Sequence, residues 1–212
     1  MDDHARALAP ITLEGRHVRL EPLAMAHVPA LLAVARGPRE TFAFTTVPPE
    51  EADMAAHVAA LLGDRANGRA LPFATVDRAA GRVVGATRFL NVEFWNWPAD
   101  SPYRRGPGAP DVVEIGGTWL APSAQRTALN TEAKLLMLTH AFETWRVHRV
   151  SLKTDARNAR SRAAILRLGA RFDGVVRATR VATDHGIRDD AMYSILAAEW
   201  PEVRAGLTAR LR

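Results

Sequence analysis

From residue 112 onward the chain switches repeatedly between strand and helix patterns, and this alternation constrains the fold more than any other feature. Val112–Leu120 reads as a strand, Asn130–Trp145 as a helix, Arg149–Lys153 as a strand and Asn158–Leu168 as a helix. Arg171–Arg180 and Asp189–Leu196 read as two further strands, turned at Asp184-His185-Gly186. Strands separated by helices need crossover connections, so the pattern predicts an α/β or α+β sheet.

The first half adds elements without changing that class. Ile11–Leu20 alternates around Gly15 as a first strand, ended by Pro22, and Ala24–Ala35 has helical spacing stopped by Gly37-Pro38. A second helix follows Val47-Pro48-Pro49. Glu50, Glu51 and Asp53 fill its first turn, where the helix dipole favours negative charge, and it runs to about Leu62, ending at Gly63. Leu71–Asp77 and Arg82–Leu90 form a predicted hairpin turned at Asp77–Gly81. Residues 91–110 break every period and hold Trp95, Trp97, Tyr103 and four of the 13 prolines. A long aromatic loop in a compact domain is usually functional or disordered; the alternative is a surface loop whose tryptophans cover the core. Residues 1–10 read as a flexible leader and 11–212 as one domain, with no repeat, linker or low-complexity tract.

Composition narrows the chemistry. A chain of 212 residues buries roughly 70% of its unfolded surface and needs no staple. The absence of cysteine excludes a disulfide framework, thiolate metal sites and a cysteine nucleophile. No apolar run approaches the roughly 20 residues that span a bilayer, and the opening MDDHARALAP lacks a signal pattern, so a soluble, cytoplasmic protein without a membrane partner is expected. Lys+Arg exceed Asp+Glu by 28 − 23 = 5. The basic residues are dispersed, however, and the only lysines are Lys134 and Lys153. This resembles compositional bias more than a nucleic-acid footprint, which would be clustered and interleaved with aromatics, so nucleic acid is disfavoured as a partner. The histidines have no ligand spacing, no metal is expected, and His140 reads as structural.

Two passages could carry chemistry. After the strand VEIGGTWL (113–120), a short loop of small and polar residues leads into a long helix. Backbone N–H groups at such a helix start can bind phosphate or pyrophosphate. The loop is neither a Walker A loop nor a dinucleotide fingerprint, since Gly116 and Gly117 lie in the strand. On residues alone it equally describes an ordinary helix start capped by Asn130. In the second passage Asn158 caps a basic helix start, with Ser161 on the first turn among Arg157, Arg160 and Arg162. Ile165 and Leu166 should face the core, and Gly169 should stop the helix.

Taken in order, LEGRHVRLEPL (13–23), VEIGGTWL (113–120), NTEAKLL (130–136), the Asn158-x-x-Ser161 helix with LGA (168–170), and MYSILAAEWP (192–201) resemble the GNAT superfamily of acetyl-CoA-dependent N-acetyltransferases. The match is to its branch similar to the Rim-like ribosomal-protein N-terminal acetyltransferases and covers nearly the whole chain. The resemblance implies a mixed, mostly antiparallel sheet of about six to seven strands flanked by about four helices. It implies acetyl transfer from acetyl-CoA, as co-substrate, to a primary amine by direct attack in a ternary complex. The acceptor would be a protein N-terminus or a small amine. The alternative is a catalytically impaired GNAT-shaped module that binds acyl-CoA or a partner.

Site residues follow from the same resemblance. Gln125, Arg126, Thr127, Ala128, Leu129 and Asn130 occupy the cofactor loop, where Ala128 and Asn130 replace small glycines. Alanine carries a steric penalty if φ there is positive. The attacking amine must be neutral, yet lysine side chains titrate near about 10.4 and α-amino groups near about 7.7–8.0. A base must therefore take the proton, and Glu114 on the central strand is the candidate. Main-chain N–H groups around Trp119 and Leu120 would stabilise the oxyanion. The tyrosine that serves many members as acid is replaced by Ile165; Ser161 could donate to the sulfur or only hydrogen-bond the cofactor. Arg180 stands where some relatives have a glutamate. The pantetheine arm would lie between the strands beginning near Val112 and Arg149, with Asn158 on its amides. Phe42 and Phe44, in the loop Thr41–Val47, would face one side of an extended acceptor loop or pack in the core; Trp95, Trp97 and Tyr103 would complete the acceptor side. Whether exposed strands pair into a homodimer stays open.

Overall fold

The computed structural model describes residues 8–106 and 108–211; residues 1–7 of the predicted leader lie outside them. Eight strands form a single sheet: β1 (Leu13–Glu14), β2 (Val18–Pro22), β3 (Ala70–Asp77), β4 (Arg82–Glu93), β5 (Val112–Leu120), β6 (Arg149–Asp155), β7 (Arg171–Val181) and β8 (Ile187–Leu196). Their order is β1-β2-β3-β4-β5-β6-β8-β7, and every pairing is antiparallel except β5 with β6. Five α-helices flank it: α1 (Val28–Ala35), α2 (Glu51–Ala66), α3 (Ala128–Thr139), α4 (Ala159–Arg167) and α5 (Trp200–Ala209). The mixed α/β class is as the sequence implies, with slightly more strands.

The sheet separates two cores. On one face α3, α4 and α5 bury Leu129, Met137, Ile165, Val203 and Leu207 against Phe73, Phe89, Val113, Ile115 and Leu152. On the other, α1 and α2 bury Leu31, Met54 and Val58 against Ala74, Ala86 and Trp119. Leu8, within the predicted leader, is buried in the first core.

Several boundaries depart from the sequence pattern for identifiable reasons. The predicted strand Ile11–Leu20 is a hairpin of β1 and β2, turned where the Gly15 N–H bonds the Val18 carbonyl at 2.9 Å. Glu132 of α3 holds that turn, its carboxylate accepting from the N–H groups of Arg16, His17 and Val18 at 2.8, 2.6 and 2.8 Å. A Cβ on Gly15 would lie 2.4 Å from the Glu132 carboxyl carbon, so the turn must be glycine. The helix predicted to end at Trp145 changes to a π-helical turn over His140–Trp145 and stops at left-handed Arg146. Helix α2 continues through Gly63 to Ala66. In α4 it is Ile165 and the following Leu168 that are buried, while Leu166 is exposed, correcting the expected inward face.

Candidate active site

Strands β5 and β6 start side by side and then part. Val112, Val113 and Glu114 pair with Arg149, Val150 and Ser151, after which β5 pairs only with β4, and β6 only with β8. The cause lies in β5. Gly117 has φ 57°, and the β4–β5 register shifts between Ala86 and Arg88, the signature of a bulge that bends a strand away from its neighbour. Two facing strand edges are left with main-chain donors and acceptors free of ladder bonds, over about 20 Å of β5. Such edges can take an extended, amide-bearing chain between them.

Glu114 sits where the strands part. It is buried, accepts from Asn91 Nδ2 at 2.8 Å and pairs with Lys153 Nζ at 3.2 Å. Its partner cation is therefore a lysine, held across the parting on β6. Asn91 reaches it from left-handed backbone (φ 47°) in β4. Neither Asn91 nor Lys153 stands out in the sequence as a partner, because their contacts with Glu114 join positions far apart in the chain.

At the open end of β5 the chain enters α3. Thr127, not Asn130, caps that helix: its Oγ1 accepts from the Leu129 N–H at 3.3 Å. Positive φ falls on Arg126 (60°) and not on Ala128, which lies in the helix proper, so the steric penalty considered for Ala128 does not arise. Leu129 is buried in the core, leaving only its main chain for a ligand, while Arg126 and Thr127 are exposed. Gln125 donates from Nε2 to the Leu120 carbonyl at 3.0 Å and accepts from Arg160 Nη1 at 3.1 Å, tying the end of β5 to α4. Asn158 caps α4, accepting from the Ser161 N–H at 3.0 Å.

The segment Thr41–Val47 is not an extended loop. Arg39–Phe42 is a 3₁₀ turn, and Phe42 is buried edge-on to Trp119 at 5.9 Å, within the second core. Phe44 points elsewhere, beneath the Arg157 guanidinium at 5.7 Å. The two rings thus do not share one face. Arg160 Nη2 bonds the Thr41 carbonyl at 2.9 Å, and the Thr183 hydroxyl bonds the Ala43 carbonyl, so this segment bridges α4 and the β7–β8 hairpin. Arg157 joins the same cluster through Asp155 and Asp184 at 2.8 and 2.7 Å, and its bonds hold both carboxyls below the usual range.

The aromatic loop gathers on His148 at the start of β5 and β6. Trp95 stacks on the imidazole at 5.8 Å, and Trp97 and Tyr103 approach it at 5.5 and 6.4 Å. Buried Asp111 anchors the loop, accepting from the Trp95 main-chain N–H and the Trp97 indole N–H, each at 2.6 Å. Asp111 precedes Glu114 by about 10 Å of strand. Trp95 and Tyr103 stay exposed.

Lys134, on α3, is fully enclosed, with hydroxyls of Thr87 and Thr118 as partners at 3.1 and 2.6 Å, and burial pushes it down to about 7. His140 packs between Phe89 and Trp145 and is pushed down to about 4 by burial. Among the described residues no three or more His, Cys, Asp or Glu converge as a metal site, and no helix is long and apolar enough to cross a membrane.

Residues 17–171 match the model of a GNAT acetyltransferase domain. No curated protein matches the chain. Among solved structures, a T. thermophilus protein described as an acetyltransferase is 38% identical, with 96% of this chain and 98% of that one covered and a TM-score of 0.78. A GCN5-related N-acetyltransferase from Brucella melitensis is 28% identical over 96% and 86% of the two chains, TM-score 0.81. Mycobacterium smegmatis RimJ, solved with CoA-disulfide, has the same fold at 22% identity over 96% of each chain, TM-score 0.78.

Proposed function

The chain belongs to the GNAT acetyltransferase family, and we propose from that premise that it moves an acetyl group from acetyl-CoA to a primary amine, either a protein N-terminus or a small amine. The observation that carries the reading is the parting of β5 and β6 beside Glu114, next to an exposed, Thr127-capped start of α3. Acetyl-CoA supplies an activated acyl group on a thioester. The chain supplies the rest.

The unpaired edges of β5 and β6 would hold the amide-bearing arm as an inserted strand, and the first N–H groups of α3 would hold the pyrophosphate. Ala128, with ordinary helical backbone, leaves that helix start undistorted. Arg126 is exposed at the entry to α3 and Arg160 is tied to that entry through Gln125; Asn158 and Ser161 would contact the cofactor from the start of α4. A main-chain N–H of the bulged stretch near Trp119 and Leu120 would face the acyl oxygen. Glu114 would receive the amine proton, directly or through water, and Lys153 and Asn91 hold its carboxylate in place for that task. A base is needed because even an α-amino group is about half protonated near its pKa of about 7.7–8.0.

Release of free CoA thiol, followed in the presence of amines and of peptides with free N-termini, tests the proposal. Amine-dependent thiol release with matching acetylated product supports it. Saturable acetyl-CoA binding without product from any amine would replace the enzyme by a binding module.

A further inference from the structure

Arg88 shares with Arg105 and Arg149 a buried Nε that has no hydrogen-bond partner among the described residues. It lies on β4 and is half-buried on the face of the sheet covered by α1 and α2, paired across the sheet with Gly116. Its Nε is buried and has no hydrogen-bond partner, and the guanidinium makes no ion pair among the described residues. Arg157 and Arg188, by contrast, are each held by carboxylates at 2.8 and 2.6 Å. Burial is the largest influence on Arg88 and lowers its pKa; Asp64 and Glu114 oppose that from a distance, and Arg180 adds to it. Burial, and after it the Arg88 charge, depresses His57 on α2. A half-buried guanidinium without a counter-ion has given up water at its buried Nε and gained no partner there, which is costly.

Glycine backbone packs closely against Arg88. Gly117 is exposed, and a Cβ there would lie 2.9 Å from Arg88 Nε. A Cβ on Gly116 would crowd the Glu114 carboxylate at 3.0 Å. The two glycines, side by side, therefore let the β5 main chain pass close to Arg88 on one side and to the Glu114 carboxylate on the other. Leu90 is the direct partner of Glu114, so Arg88 is its diagonal neighbour on the same face, with backbones about 7–8 Å apart. A carboxylate and a guanidinium rooted at neighbouring positions of one sheet face are complementary to one molecule carrying both an amine and an anion.

Resting on the acetyltransferase reading above, we propose that Arg88 selects acceptors that bear a carboxylate or phosphate close to the amine to be acetylated. The anion takes the guanidinium fork while the amine lies against Glu114. An acidic acyl group on the donor would use only the Arg88 half of this pair, which is why the acceptor is the better fit. The chemistry is common to a free acidic amine and to a peptide whose residue next to the N-terminus is acidic.

Equilibrium binding and acetylation of matched acceptors, measured on the whole protein, its Arg88→Met and its Arg88→Gln variants, decide the matter. The acceptors are peptides with N-terminal alanine followed by aspartate, asparagine or lysine, and, as a second arm, free aspartate against its diamide. The expected result is at least about ten-fold tighter binding and lower KM for the acidic member of a pair, with the preference gone in both variants. The arm that carries the preference identifies the source, peptide or free amine. Equal use of acidic and neutral acceptors, or a preference that survives in either variant with a native melting profile, would overturn the proposal. So would an Arg88-dependent gain with succinyl-CoA and not with acidic acceptors. Because acceptor binding is read without acetyl-CoA, failure of the acetyltransferase reading appears separately, as absent acetyl-CoA binding beside an intact acidic preference.

Discussion

Glu132 and Arg88, on opposite faces of the sheet, differ in how their charge is met. On the α3 side, Glu132 is buried and its carboxylate is occupied by three main-chain N–H groups of the β1–β2 turn. On the α1–α2 side, Arg88 is half-buried with no partner for its buried Nε, and Glu114 pairs with a lysine across a gap between parted strands. Charge satisfied inside the chain fixes its shape. Charge left open is a cost to the free protein that a visiting molecule can offset. Lys134 falls between the two, enclosed with hydroxyl partners but no carboxylate.

The sharpest way to break this comparison is Glu132→Ala. It strands three N–H donors and should lower unfolding stability by about 3 kcal/mol in a urea titration, with Glu132→Gln recovering part of the loss. A loss under about 1 kcal/mol would mean that water replaces the carboxylate and that the face is not held as described. On the opposite face, Glu114→Gln leaves Lys153 without its carboxylate, should cost about 1–3 kcal/mol in the same titration, and should lower kcat for acetylation by about 10²-fold. A full rate with the glutamine would remove Glu114 as the base.

Lys134→Met should raise stability by about 1–2 kcal/mol at pH 7, since an enclosed amine gives way to an apolar chain of similar length. The sign with pH follows from burial. The folded lysine titrates at about 7 and the unfolded one at about 10.4. Between those values the unfolded chain binds more protons, so the parent protein gains stability as pH rises. The advantage of methionine is therefore greatest below pH 7 and shrinks toward pH 10. A pH-independent difference would contradict the enclosed, uncompensated amine. The smallest effect is that of Thr127→Ala, about 1 kcal/mol from the lost helix cap, whereas Asn130→Ala should have no capping effect at all.

What the sequence discloses depends on the range of the forces involved. Val112–Leu120 is legible to the residue, because alternation within one strand is local and glycines and prolines punctuate its surroundings. The β1–β2 turn is not, since Gly15 interrupts an alternating run without changing its apparent period, and the carboxylate that fixes it comes from residue 132. The sequence pattern sets the cap of α3 at Asn130 rather than Thr127 because both are good capping residues and only main-chain geometry separates them. Phe42 and Phe44 look equivalent at a spacing of two until a 3₁₀ turn sends one into the core. Arg88 gives no sign of itself in the sequence. It reads as a polar residue in an alternating strand, and its surroundings arise only when α1 packs over β4 and the Gly116-Gly117 pair is laid beside it.

The most direct test of the central claim is a calorimetric titration of the folded protein with acetyl-CoA. Saturable one-to-one binding in the micromolar range is the predicted result, since Ala128 leaves the start of α3 undistorted and the β5 and β6 edges lie open to an amide-bearing chain. No saturable heat at millimolar acetyl-CoA, from protein that still unfolds cooperatively, would contradict the account.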